Sequence, residues 1–161
     1  MVQPVSWWKS LADTYRTSDW NTYFYPWANS YNSYYYYFER HPLLAFRDLW
    51  LATGDTTYLN LALTLPETMI AHAQVSSSLS TSQYKDSYYG WLSVGDGNLE
   101  AVLRETCGWV GVTSVLRKMR AAGIHTNPTW STRYDAVLAF TEEHIWEKWW
   151  TRGVNNVYRY N

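Results

Sequence analysis

Cysteine is nearly missing: Cys107 is the only one in 161 residues, so no internal disulfide can form. No Cys/His pair stands at ligand spacing, which argues against a structural zinc site, and neither metal nor cofactor is expected. Cys107 sits mid-helix among apolar neighbours and is read as a packing thiol rather than a nucleophile. Strong charge of either sign is also lacking. Thirteen Lys and Arg against fourteen Asp and Glu leave a net charge of −1. The basic residues are scattered, and without a basic stripe to neutralise phosphates no nucleic-acid partner is expected. The short run Arg117, Lys118, Arg120 falls near a helix C-terminus, where cations complement the dipole. No apolar run reaches the roughly 18–20 residues that cross a bilayer, so no membrane partner is expected. The opening MVQPVSWWKS lacks the basic start and apolar stretch of a secretory signal. Phenylalanine is scarce too, with four residues beside fifteen Tyr and eleven Trp.

That last imbalance is the anomaly. Tyr and Trp join a flat apolar body to a polar handle, which suits half-wet surfaces. Saccharide stacking, a large protein interface and an unusual core all remain open on composition. The hydrophobic share of 47% excludes a mostly disordered chain. The length fits one domain, residues 1–161.

Residues 1–40 read as an irregular, aromatic-rich segment. Trp7, Trp8, Leu11, Ala12 and Tyr15 recur at helical spacing after Pro4 or Ser6. The stretch that follows is punctuated by Asn, Ser and Pro26 and reads as a long loop. The run Tyr34–Tyr37 turns helical after Ser33 or takes β-structure. Residues 41–161 read as helical hairpins. Pro42 fits a first helical position, and Leu43, Phe46, Arg47 and Trp50 make one stripe. Gly54 stops that helix and Asp55 caps the next, giving an αα-hairpin. Pro66 falls inside the second helix, where it is expected to kink or interrupt it. Residues 75–87 are Ser- and Thr-rich and read as a loop.

The stretch YKDSYYGWLSVGDGNLEAVLRETCGW, residues 84–109, combines aromatics, a Gly-rich turn and a helix beginning near Asn98. Leu99, Val102, Leu103, Thr106 and Val110 form the expected core stripe. Gly108, Gly111 and Ser114 line up three apart, where small residues let a second backbone approach. Glu105 and Trp109 share another flank, either as a sugar-binding pair or as a rim carboxylate beside a packed indole. A last helix spans about Arg133 to Arg152, with Tyr134, Leu138, Thr141, Ile145 and Trp149 inward and His144 solvated. The fold class is all-α, built of antiparallel helical hairpins.

Three segments resemble the α/α-toroid enzymes that act on polysaccharides, and most closely the alginate-lyase-type polysaccharide lyases. They are HPLLAFRDLWLATGDTTYLNLAL, YYGWLSVGDGNLEAVLRETCGWVGV and FTEEHIWEKWWTRGVNNVYR, and the likeness covers about residues 35–160. The resemblance implies part of an α/α toroid, since a hairpin takes on the order of 45 residues and a full ring needs roughly twice this chain. It implies that a His- and Arg-bearing catalytic segment follows residue 161, comes from another polypeptide or has been lost from the fold. A protein partner, or the missing remainder of the toroid, is therefore expected at an apolar flank. A periplasmic or extracellular setting is implied as well.

The implied activity is β-elimination on an acidic polysaccharide or oligosaccharide. Such chemistry neutralises a uronate carboxylate, removes the adjacent proton and protonates the leaving oxygen. Asn98 or Arg40 would serve the first task, and His41, Tyr88 or Tyr89 the others. Trp91 and Trp109 would stack on sugar rings while Asp96 and Glu105 accept hydroxyl hydrogen bonds. A hydrolase on the same scaffold would pair Asp96 with Glu105. The remaining alternative is a non-catalytic carbohydrate-binding or assembly subunit that uses its Tyr/Trp surface for contacts.

Overall fold

The Thr53–Gly54–Asp55 turn sets the central hairpin. Gly54 adopts a left-handed φ of 71°, and its N–H donates to the Trp50 carbonyl at 2.8 Å. Asp55 caps the following helix, its carboxylate accepting from the Thr57 N–H at 3.0 Å. The computed structural model describes residues 2–153. Helix α1 (Val5–Asp19) passes through a π-helical segment, Trp20–Phe24, into α2 (Tyr25–Ala28). The hairpin is α3 (Tyr36–Thr53) and α4 (Thr56–Ala71). A two-residue antiparallel ribbon follows, pairing β1 (Gln74–Val75) with β2 (Tyr89–Gly90). Then come α5 (Val102–Ala121) and one long rod made of α6 (Ser131–Phe140), π-helical Thr141–Glu147 and α7 (Lys148–Thr151). The protein is mostly helical. No helix among the described residues is long and apolar enough to cross a membrane.

Helix α3 lies at the centre, with α4 and α5 packed on it and α6 against α4. Its inner face supplies Leu43, Phe46 and Trp50, which meet Tyr58, Leu59 and Leu63 of α4. Arg133 ties α6 to α4, donating to both Glu67 carboxylate oxygens at 2.6 Å and to the Asn60 side chain at 2.7 Å. The Trp91 indole N–H reaches the Met69 carbonyl at 2.9 Å and anchors the ribbon to the end of α4.

Several expectations need correction. The helical spacing of Trp7 to Tyr15 does mark a helix, but residues 19–28 are helical rather than a loop. The π-helical turn at Trp20–Phe24 precedes Pro26, which then sits in the first turn of α2 where no donor is required. Helix α3 begins at Tyr36, whose N–H bonds the Ser33 carbonyl at 3.0 Å, so Pro42 lies inside the helix and not at its first position. Pro66 likewise leaves α4 uninterrupted. Burial of both prolines offsets the lost hydrogen bonds. The 75–87 loop is bounded by the short ribbon. His144 is half-buried rather than solvated. The sequence after Gly153 lies outside the described residues.

Helix α5 starts later than expected, and a different face turns inward. Asn98 has φ 60° and sits in a turn, its N–H bonded to the Ser93 carbonyl at 2.9 Å. Leu99, Leu103 and Val110 are exposed, while Glu105, Trp109 and Val112 are buried. The two glycines decide the rotation. A Cβ on Gly108 would lie 2.6 Å from the Tyr36 carbonyl oxygen, and one on Gly111 would lie 2.9 Å from Leu43 Cβ. That close approach points the flank beside the glycines at α3 and swings Leu103 and Val110 outward. Gly108→Ala is therefore predicted to destabilise by about 2 kcal/mol despite its better helix propensity, because backbone must move. A chemical-denaturation midpoint at or above the parent's would contradict this packing.

Candidate functional site

Two features meet at the rod formed by α6 and α7: a sealed ionic cluster beneath it and an aromatic ridge on its outside. The Lys148, Glu105 and Glu100 side chains are completely buried, Arg152 is nearly so, and Asp86 lies half-exposed at the rim. Lys148 Nζ donates to Glu105 Oε2 at 2.5 Å and to the Tyr89 carbonyl at 2.9 Å, and lies 3.6 Å from Glu100 Oε2. The Trp149 indole N–H donates to the same Glu105 oxygen at 2.9 Å. Arg152 bridges Glu100 at 3.0 Å, Asp86 at 2.8 Å and the Ser76 hydroxyl at 2.7 Å. Ser82 closes the set by donating to Glu100 Oε1 at 2.6 Å. Burial pushes the Glu105 carboxyl up, and the Lys148 ammonium and Trp149 N–H pull it back. Arg152 holds Asp86 below the usual carboxylate range. Fully paired buried ions of this kind brace a fold, and no face of Glu105 is left for a substrate.

The residues expected to form a site separate into groups. Trp91, Glu105 and Trp109 do come together, but they are 1%, 0% and 2% exposed and offer no ring face to solvent. The Trp109 indole donates to the Thr141 hydroxyl at 2.9 Å. Asp96 is engaged by Arg104 at 2.8 Å and by Ser93, and the Arg104 hydrogen bond lowers its pKa. Asn98 is exposed in the same turn, its carbonyl accepting from Thr81. Arg40 and His41 lie on α3. Among the described residues no hydrogen bond or ring contact joins either to Tyr88 or Tyr89.

Tyr88 and Tyr89 gather around a histidine that the sequence reading had set aside. The His144 ring centre is 4.9 Å from that of Tyr89 and 6.4 Å from that of Tyr88. Its Nδ1 accepts from the Tyr89 N–H at 3.4 Å. Desolvation lowers the His144 pKa, so the imidazole is neutral at neutral pH.

Outside this cluster stands the ridge. Trp146 and Trp150 are 70% and 63% exposed, with ring centres 6.0 Å apart and planes within 17°. On one side they border an apolar groove of about 380 Å³ against α5, lined also by Trp109, Val110, Thr113 and Ile145. On the other they border an open groove of about 870 Å³, lined by Tyr88, Glu142, Glu143 and Glu147. The π-helical turns set these side chains along one flank of the rod, and such turns recur at functional positions. No family model, curated protein or solved structure matches the chain. Among the described residues no group of three His, Cys, Asp or Glu is arranged to hold a metal ion.

Sequence reasoning passed over Trp146 and Trp150. The signal was present: they stand four apart and fall off the inward stripe of Tyr134, Thr141, Ile145 and Trp149. A large apolar side chain off the buried stripe has to face solvent, a ligand or another protein.

Proposed function

We propose that this chain is a non-catalytic carbohydrate-binding module on a helical-hairpin scaffold, with a saccharide chain lying along Trp146 and Trp150. The single observation carrying this reading is the pair of near-parallel, exposed indoles between two grooves. Flat rings of this kind take the C–H face of a pyranose, and the neighbouring carboxylates, with the Tyr88 oxygen that donates to Thr151 at 3.3 Å, can accept from its hydroxyls. The hairpin of α3 and α4, with α5 and α6 alongside, supports a segment of an α/α toroid. The exposed Leu99 and Leu103 give such a segment an apolar flank for the protein partner or remaining hairpins. Titration with soluble oligosaccharides, followed by Trp fluorescence and calorimetry, tests the reading. Trp146→Ala and Trp150→Ala are each expected to weaken binding at least about tenfold, or roughly 1.4 kcal/mol. Unchanged affinity in both would remove the ridge from the site.

The cluster of Tyr88, Tyr89 and His144 favours a second reading, β-elimination on a uronate polymer. A neutral imidazole beside phenols is suited to moving the proton. Lysine 148, the nearest cation, is committed to Glu105 and Glu100, so carboxylate neutralisation would come from another segment. Incubation with alginate or glucuronan, monitored by the ultraviolet absorbance of unsaturated uronate, tests it. No absorbance rise from the folded chain would count against a self-sufficient lyase.

A further inference from the structure

Charge distinguishes the saccharides that the ridge can accept. The open groove beside Trp146 and Trp150 carries Glu142, Glu143 and Glu147, all exposed, and no Lys or Arg among its described lining residues. The cations nearest in sequence are turned elsewhere. Lys148 is sealed against Glu105, and Arg152 is held by Asp86 and Glu100. His144 Nε2 lies 3.8 Å from Glu143, and desolvation lowers that imidazole's pKa, which disfavours the charged form an ion pair needs. Three carboxylates along one wall repel a polyuronate and attract a cation. The indoles act in the same direction, since their faces hold an ammonium as well as a sugar ring.

We infer that the ridge binds a cationic amino-sugar polymer, with glucosamine rings on Trp146 and Trp150 and their ammonium groups against Glu142, Glu143 and Glu147. This rests on the carbohydrate-binding reading above and adds the ligand's class. The two grooves explain why both properties are wanted in one ligand. The apolar groove against α5 faces the ring carbons, and the acidic groove faces the charged substituent. A lysine-rich peptide shares the charge but has no flat C–H face to lay along paired indoles.

The test uses the full chain at mildly acidic pH, where the sugar amine is protonated. Four probes are compared by calorimetry: a glucosamine oligomer, its N-acetylated form, a uronate oligomer and a lysine oligomer. The glucosamine oligomer is expected to bind best and the uronate not at all. The triple variant E142Q/E143Q/E147Q is expected to weaken glucosamine binding about tenfold, and raising salt from about 0.02 to about 0.3 M weakens it further. Trp146→Ala and Trp150→Ala weaken every saccharide. All five side chains are exposed, so thermal melts should match the parent, and Trp146→Phe serves if Trp146→Ala melts early. Equal binding of the N-acetylated oligomer, with the triple variant unaffected, overturns the charge inference while leaving the saccharide reading intact. Tighter binding of the lysine oligomer makes the ridge a peptide site. Preference for the uronate overturns the charge inference outright. Failure of every saccharide removes both.

Discussion

Lys148→Ala is expected to lose about 3–5 kcal/mol of stability, because it strips the cation from buried carboxylates that cannot be rehydrated. Glu105 would keep only the Trp149 indole N–H at 2.9 Å and a long 3.5 Å contact from the Trp91 N–H. The Tyr89 carbonyl would lose its donor as well. For a chain of this size the loss corresponds to a fall of roughly 10 °C in Tm. Glu105 would relieve the mismatch by taking up a proton, so the deficit should shrink as pH falls. The compensating double variant Lys148→Met/Glu105→Leu should recover much of the loss, since the penalty belongs to the unpaired ion rather than to the absence of a salt bridge. Urea unfolding followed by Trp fluorescence measures all three proteins. A Lys148→Ala variant within about 1 kcal/mol of the parent, the usual value of an exposed pair, would mean the cluster is wet rather than sealed.

The second large effect runs the other way. Glu39 on α3 is fully buried, neither carboxyl oxygen has a hydrogen-bond partner among the described residues, and burial pushes its pKa up to about 9. Below pH 4.5 the carboxyl is protonated whether the chain is folded or not, and it adds no pH dependence. Between 4.5 and 9 the unfolded chain releases a proton that the folded chain retains. Folding therefore weakens by about 1.4 kcal/mol per pH unit across that window. Above 9 both states are ionised and the slope ends. Glu39→Gln removes the titration, so it is expected to exceed the parent by about 3 kcal/mol at pH 7 and to match it at pH 4.5. Comparing the two proteins at each pH cancels the other titrating groups, including Glu105, which burial shifts in the same direction. A constant offset across pH would show that Glu39 is ionised in the folded protein.

Local chemistry was legible wherever it acted within a few residues. The Gly54 stop, the Asp55 cap and the three-residue spacing of Gly108 and Gly111 are backbone requirements that any tertiary setting must honour. The continuation of the first helix through residues 19–28 was hidden because Pro26 and the surrounding Asn residues imitate a loop, and the π-helical turn that absorbs Pro26 has no simple period. The inward face of α5 was hidden for another reason. Glu105 is an unpromising core residue until Lys148 arrives from 43 positions away. A stripe drawn from Leu99, Leu103 and Val110 satisfies helical periodicity and still faces solvent. The candidate site was misplaced by the same logic. Trp91 and Trp109 drew notice because they flank a Gly-rich turn, and tertiary packing consumes them, while Trp146 and Trp150 stay free on a helix that looked ordinary.

The span between the buried carboxylates and their cations also orders events during synthesis. Glu100 waits for Arg152, 52 residues downstream, and Glu105 for Lys148. While the ribosome is still making the rod, α3 and α4 can pair, but α5 carries a carboxylate that must stay hydrated. Closure of the interior is thus postponed until Arg152 has left the exit tunnel. A nascent chain stalled before Lys148 would remain open to protease at the loop between β1 and β2, and one released past Arg152 would not.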